Sequence, residues 1–133
     1  MDCPVCKKAA MIVLELDEVE VDFCLDCNGI WLDSGELELL LEDEQKAAEL
    51  LRSFQAAEAG DEQIRKCPIC LKKMQKVQIG QANKSLLIDR CAKGHGLWFD
   101  KGELQNVLKT DSFDKEQKIQ KLLENMFGEK QKN

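Results

Sequence analysis

"CLDCNGIWLDSGEL", residues 24–37, and "CAKGHGLWFDKGEL", residues 91–104, are one phrase written twice. Laying Trp31 on Trp98 matches Gly29 with Gly96, Asp33 with Asp100, Gly35 with Gly102, Glu36 with Glu103 and Leu37 with Leu104. Upstream of each copy lies a second shared phrase, "CPVC" at residues 3–6 and "CPIC" at residues 67–70. The chain is thus an internal duplication, and each half must be read as a repeat of one structural unit.

The copies differ in how the second cysteine pair ends. The first closes with Cys24-x-x-Cys27, the second with Cys91-x-x-x-His95, so that Cys27 falls opposite Gly94 and Asn28 opposite His95. His95 is the only histidine among 133 residues. A closed tetrahedral zinc site accepts four cysteines, or three cysteines and one histidine. Seven cysteines and one histidine divide into two complete quartets: Cys3, Cys6, Cys24 and Cys27, then Cys67, Cys70, Cys91 and His95. A disulfide framework would strand one thiol. Met1 is followed at once by Asp2, Cys3 and Pro4 instead of a basic and then apolar leader, so a reducing cytoplasm is the expected setting. Two structural zinc ions are the expected cofactors. The one-residue displacement of His95 is expected to loosen its knuckle and weaken the second site.

Length supports the need for metal. Two units of about sixty-odd residues each are too small to rest on hydrophobic burial alone, and structural zinc contributes about 10–16 kcal/mol of apparent binding free energy to folding. No apolar run approaches the roughly 18 residues of a membrane span. Charge is split between the halves: residues 1–66 carry 6 Lys/Arg against 17 Asp/Glu, and residues 67–133 carry 13 against 8. The formal charge of −6 falls to about −9 once two metals and seven thiolates are counted, a sign that disfavours phosphate backbones. Only the second half offers a basic surface, its copy of the repeat carrying Lys72, Lys73, Lys76, Lys84, Arg90, Lys93 and Lys101, with Lys66 immediately before them. These read as a solvated face, or as one that attracts RNA, DNA or the acidic half of another copy.

Between its paired ligands the first module alternates apolar and polar residues on both sides of Asp17-Glu18, which predicts a β-hairpin. The second module predicts strands near residues 76–79 and 86–90 about a longer turn at 80–84. The Gly-Ile-Trp-Leu and Gly-Leu-Trp-Phe stretches add a third strand to each. "DSGE" and "DKGE" then read as capping boxes, with Asp33 and Asp100 capping the first turn and Glu36 and Glu103 reaching back. A helix is expected from Ser34 to about Ala59, with Leu37, Leu40, Ala47, Leu51 and Phe54 on one face and Gly60 as its stop. Shorter helices are expected over about 101–109 and from about 113 to Phe127, ended by Gly128. Their apolar spacing does not say whether they meet each other, a second copy or a partner protein.

The resulting domains are a zinc ribbon at 1–33, a long helix or linker at 34–60, a second ribbon at 61–100, C-terminal helices at 101–128 and a tail at 129–133. The fold class is small zinc-stabilised α+β: two tandem zinc ribbons, each a short antiparallel hairpin followed by an α-helical segment. Trp31 and Trp98 are expected to pack between hairpin and helix, the competing reading being exposed rings that stack on bases. A catalytic zinc keeps one position open and usually has a base beside it. Neither quartet leaves a position, so no catalytic residue and no small-molecule substrate is expected. A redox role would ask for a low-pKa thiol at a helix start, whereas both helices begin after the ligands.

The two phrases together, "CPVC…CLDCNGIWLDSGELE" and "CPIC…CAKGHGLWFDKGEL", resemble the bacterial zinc-ribbon family related to the amino-terminal ribbon of transcription factor IIB. The resemblance covers about residues 1–40 and 65–108. It implies zinc held through Cys3, Cys6, Cys24 and Cys27 and, by extension, through Cys67, Cys70, Cys91 and His95, the histidine departing from the family's four-cysteine pattern. The function expected is a non-enzymatic protein-interaction adaptor, its helices meeting a protein partner or a second copy, with transcription suggested by the family's name. The alternative is nucleic-acid binding through the second ribbon.

Overall fold

The computed structural model describes residues 1–7, 9–16, 18–41, 45, 48–49, 52, 55–56, 64–79 and 86–104. Strands β1 (Ile12–Leu16) and β2 (Val19–Phe23) form the first hairpin, with Glu18 at a positive φ of 68° in its turn. Every residue of β1 pairs with β2, from Ile12 opposite Phe23 to Leu16 opposite Val19. Alternation then buries Val19, Val21 and Phe23 while Glu20 faces solvent. β3 (Ile30–Asp33) adds to β2, and α1 (Glu36–Leu41) follows, packing Leu37 and Leu40 toward β2 and β3.

The second module repeats this plan. β5 (Gln75–Ile79) and β6 (Leu86–Arg90) form its hairpin, and β7 (Gly96–Phe99) adds to β6. After it, Glu103 and Leu104 begin a helical turn. The third strand expected in each copy is present.

What the sequence left open is the relation between modules. β3 and β7 pair antiparallel, Ile30 opposite Phe99, Trp31 opposite Trp98 and Leu32 opposite Leu97, so among the described residues both ribbons share a seven-stranded sheet in the order β1-β2-β3-β7-β6-β5-β4, with β4 (Gln55–Ala56) at its outer edge. The register is that of a local twofold axis between Trp31 and Trp98. Exchanging each residue for its repeat equivalent returns the same pairs. The modules are consequently halves of one sheet, and the core runs through the seam.

The helix expected to extend to about Ala59 meets a strand instead. Gln45, Ala48, Glu49 and Arg52 are helical, but β4 (Gln55–Ala56) is extended and pairs with Gln78 and Val77 on the outer edge of β5. Local helical preference is weak, and pairing with an open strand edge supplies the backbone hydrogen bonds that helical turns would otherwise make. The turn at 80–84 and the helices expected after residue 104 lie outside the described residues. Among the described residues no helix is long and apolar enough to cross a membrane.

Candidate metal centres

Each cysteine pair sits on a tight turn that its own backbone closes. Lys7 donates its amide to the Cys3 carbonyl, Asn28 to Cys24 and Leu71 to Cys67, all at 2.8 Å. Lys7, Asn28 and Leu71 take φ values of 67°, 63° and 63°, and in each case this left-handed residue directly follows the second ligand. The turn also points amides at sulfur. Val5 and Cys6 donate to Cys3 Sγ at 3.3 Å, and Ile69 donates to Cys67 Sγ at 3.3 Å.

The fourth knuckle is built one residue shorter. Gly94 carries the positive φ of 82°, and its amide reaches the Cys91 carbonyl at 3.0 Å. The chain thus turns before the ligand, and the residue presented next is His95. An imidazole reaches farther from the backbone than a thiol, which lets Nδ1 arrive 3.4 Å from Cys91 Sγ and 3.8 Å from Cys67 Sγ. The displaced histidine and the early glycine are one change.

The eight donors named from the sequence form two clusters, Cys3, Cys6, Cys24 and Cys27, then Cys67, Cys70, Cys91 and His95, with the ligand atoms of each within 4.8 Å of one another. Tetrahedral zinc with Zn–S near 2.3 Å places sulfurs about 3.8 Å apart, and a sulfur and a nitrogen about 3.6 Å apart. Cys3 to Cys27 measures 3.6 Å, Cys6 to Cys24 3.8 Å and Cys70 to Cys91 3.8 Å. All seven cysteines are free thiols. The donor types and spacings fit two structural zinc ions, each ringed by four protein ligands.

The thiols differ in readiness to ionise. Burial pushes Cys67 up to about 11, opposed by the amides of Cys70 and Ile69. It raises Cys27 as well. Burial also resists ionisation of Cys91, but the amides of His95 and Lys93 and the thiols of Cys67 and Cys70 outweigh it and draw Cys91 down to about 7. Cys24 is lowered in the same way by the amides of Cys27 and Asp26. In each quartet one thiol, Cys24 or Cys91, is thus drawn below the ordinary thiol range, and metal loading releases whatever thiol protons remain.

Trp31 and Trp98 form a common apolar cluster with Cys3, Met11, Cys24, Cys67, Met74 and Cys91. The expectation that each indole packs between its own hairpin and helix is corrected: each lies across the seam, against the glycine of the other module. A Cβ on Gly29 would meet the Trp98 ring at 2.2 Å, and one on Gly96 would meet the Trp31 ring at 2.7 Å and the Leu32 carbonyl at 2.2 Å. Both indoles are 0% exposed, so neither presents a ring to a base. At roughly 200 Å² and ~25 cal/mol/Å², burying each contributes about 5 kcal/mol as an upper estimate.

The capping boxes are half as expected. Glu36 accepts from the Asp33 amide at 2.7 Å and Glu103 from the Asp100 amide at 2.8 Å. Asp33 and Asp100, expected to cap first-turn amides, accept the indole N–H of Trp31 at 2.7 Å and of Trp98 at 3.0 Å. A buried indole N–H needs an acceptor, and the carboxylate two residues on lies on the same face of the strand.

The basic face of the second module is smaller than its sequence suggests. Lys66, Lys72, Lys73, Lys93 and Lys101 are exposed and Arg90 is half-buried. Lys84 lies outside the described residues. Lys76 is buried, its Nζ 2.9 Å from Asp89 Oδ1, while Arg65 bridges Asp89 at 3.5 Å and Asp100 at 2.8 Å. The signal for this pair was the hairpin register, which sets Lys76 opposite Asp89.

A zinc-ribbon family model described as "Transcription factor zinc-finger", of the transcription factor IIB type, matches residues 2–43 and again 55–110. Comparison with curated proteins and with solved structures finds no match. The chain belongs to the transcription factor zinc-finger family and carries two tandem copies of its zinc ribbon.

Proposed function

We propose that this member of the transcription factor zinc-finger family is a non-enzymatic adaptor, whose two zinc ribbons hold one rigid sheet on which a protein partner docks. The observation that carries the reading is the completeness of both quartets. Four protein donors surround each metal position, so the zinc has the closed coordination of a structural site and no position for a substrate. What remains for function is surface. A role near transcription is inferred from the family's description alone.

The exposed lysines 66, 72, 73, 93 and 101 favour a second reading, nucleic-acid binding through the second ribbon. Because β3 and β7 join the modules, the test belongs on the full chain. Labelled DNA and RNA titrated into the zinc-loaded protein across a salt series, alongside crosslinking in cells, separates the two. Saturable binding that weakens steeply with salt supports the second reading. Its absence, with a protein recovered by crosslinking, supports the adaptor.

A further inference from the structure

The repeat exposes an unmatched edge. In the second module the outer edge of β5 is covered by β4, Gln55 opposite Gln78 and Ala56 opposite Val77. The equivalent residues of the first module are Leu14 and Glu15, on β1. Among the described residues β1 ends the sheet with no strand beyond it. It is also apolar at that edge: Ile12 is 37% exposed and Val13 60%. Open apolar edges are templates for another strand, and proteins normally block them.

Charge shows the same asymmetry. Val13 pairs with Asp22 in the register that pairs Lys76 with Asp89. In the second module Lys76 and Arg65 serve that aspartate. In the first, the lysine position is Val13, so no side-chain cation stands there, and Asp22 lies near Asp33 and Glu20 with the ammonium of Met1, at the arginine position, as its nearby cation.

We propose that the β1 edge receives an extended, basic segment of a partner protein by strand addition, its cationic side chain reaching over Val13 to Asp22. Strands lie about 4.8 Å apart, so a side chain on the added strand crosses about 9.6 Å to Asp22, within reach of a lysine or arginine lying along Val13. A second copy fits less well, because antiparallel β1 pairing would set two halves of 6 Lys/Arg and 17 Asp/Glu against each other. This inference rests on the adaptor reading and gives it a docking surface.

The test uses the full zinc-loaded chain and an alternating lysine–valine hexapeptide, with a control of like charge carrying a central proline. Hydrogen exchange is followed at Val13 and Glu15, whose amides alternate with those that β1 bonds to β2 and face the open edge. The expected result is rapid exchange in the free chain, slowed by the alternating peptide and unchanged by the control. Val13→Lys, which restores the second module's cation, should weaken peptide binding about tenfold while zinc content stays at two, and Asp22→Asn should do likewise. Equal protection by both peptides, or indifference to both substitutions, would overturn the proposal. So would slow exchange at these amides in the free chain: independent of concentration, it would place the chain's own segment on the edge, and growing with concentration, a second copy. A photocrosslinker at Val13 that captures a protein in cells through a lysine- or arginine-bearing extended segment supports the edge. Protein crosslinks that fall only outside β1 overturn the edge and leave the adaptor standing, whereas capture of nucleic acid alone overturns both.

Discussion

The first module closes its quartet with Cys27 and leaves Asp22 without a side-chain cation opposite it, beside Asp33 and Glu20; the second closes with His95 and seats Asp89 between Lys76 and Arg65. Around these differences the frames coincide. In both, an aspartate holds the indole two residues before it, and a glutamate reaches back to that aspartate's amide. In both, a glycine gives way to the other module's tryptophan. The positions kept in both copies are thus those the shared sheet needs. The positions that diverge are the fourth ligand, the cations around one aspartate and the outer edge, and these are where one half can do what the other does not.

The knuckles give the sharpest way to break this comparison. His95→Asn should take bound zinc from two equivalents to one and disorder the second ribbon, since structural zinc is worth about 10–16 kcal/mol in folding. Adding Gly94→Cys to it rewrites the fourth knuckle in the form of the first, with the ligand before the left-handed residue. The double variant should recover the second equivalent, read by metal analysis after dialysis. Failure to recover would show that the early turn at Gly94, and not reach alone, selects histidine.

Next in size are the two pairs that set charge and packing apart. Lys76→Ala leaves Asp89 buried beside Arg65 alone and should cost about 3 kcal/mol in denaturant unfolding, whereas Val13→Ala at the equivalent exposed site should cost under about 1 kcal/mol. Gly96→Ala and Gly29→Ala test the seam. Both should destabilise by about 1–3 kcal/mol, Gly96→Ala more, because its new Cβ meets the Leu32 carbonyl as well as an indole, while Gly29→Ala meets only a ring. Equal costs would mean that the sheet shifts at Gly96 to make room.

The smallest effect is a titration. Glu36 is raised to about 7, first by burial and then by Asp33 and Asp22, against the favourable Asp33 amide. The folded chain thus holds this proton to higher pH than the unfolded chain, whose glutamate ionises near 4.5. The associated stability is present below about 4.5 and is lost as pH rises through about 7. Glu36→Gln keeps an acceptor for the Asp33 amide and should stabilise the protein at pH 8 by a few tenths of a kcal/mol, given solvent screening, with less gain at pH 6. Thermal unfolding at the two pH values reads the difference. An equal gain at both would detach Glu36 from the acidic cluster.

Local chemistry carried the sequence reading a long way. Ligand spacing divided eight donors into two quartets, alternation about Asp17-Glu18 placed β1 and β2, and the repeat placed β3 and β7. What escaped it depends on contacts between distant segments. Nothing in Gly-x-Trp says that the tryptophan of one copy fills the space above the glycine of the other. Gln55 and Ala56 followed a helical stripe, and only the open edge of β5 explains their extension. Lys76 was counted as surface by its charge, although its register opposite Asp89 already set both on one face. Asp33 and Asp100 had the right spacing for a cap, but a buried indole competed for them and won.

The pairing of Trp31 with Trp98 about a local twofold has a consequence for how such a chain tolerates change. A contact that is its own mirror under rotation is self-complementary. One ribbon bearing glycine, tryptophan and aspartate at this spacing therefore already carries both sides of the seam, and could join a twin as readily as the half to which it is fused. A substitution on either side is felt by both halves at once, which ties the fates of two otherwise diverging units to a few residues along one strand pair.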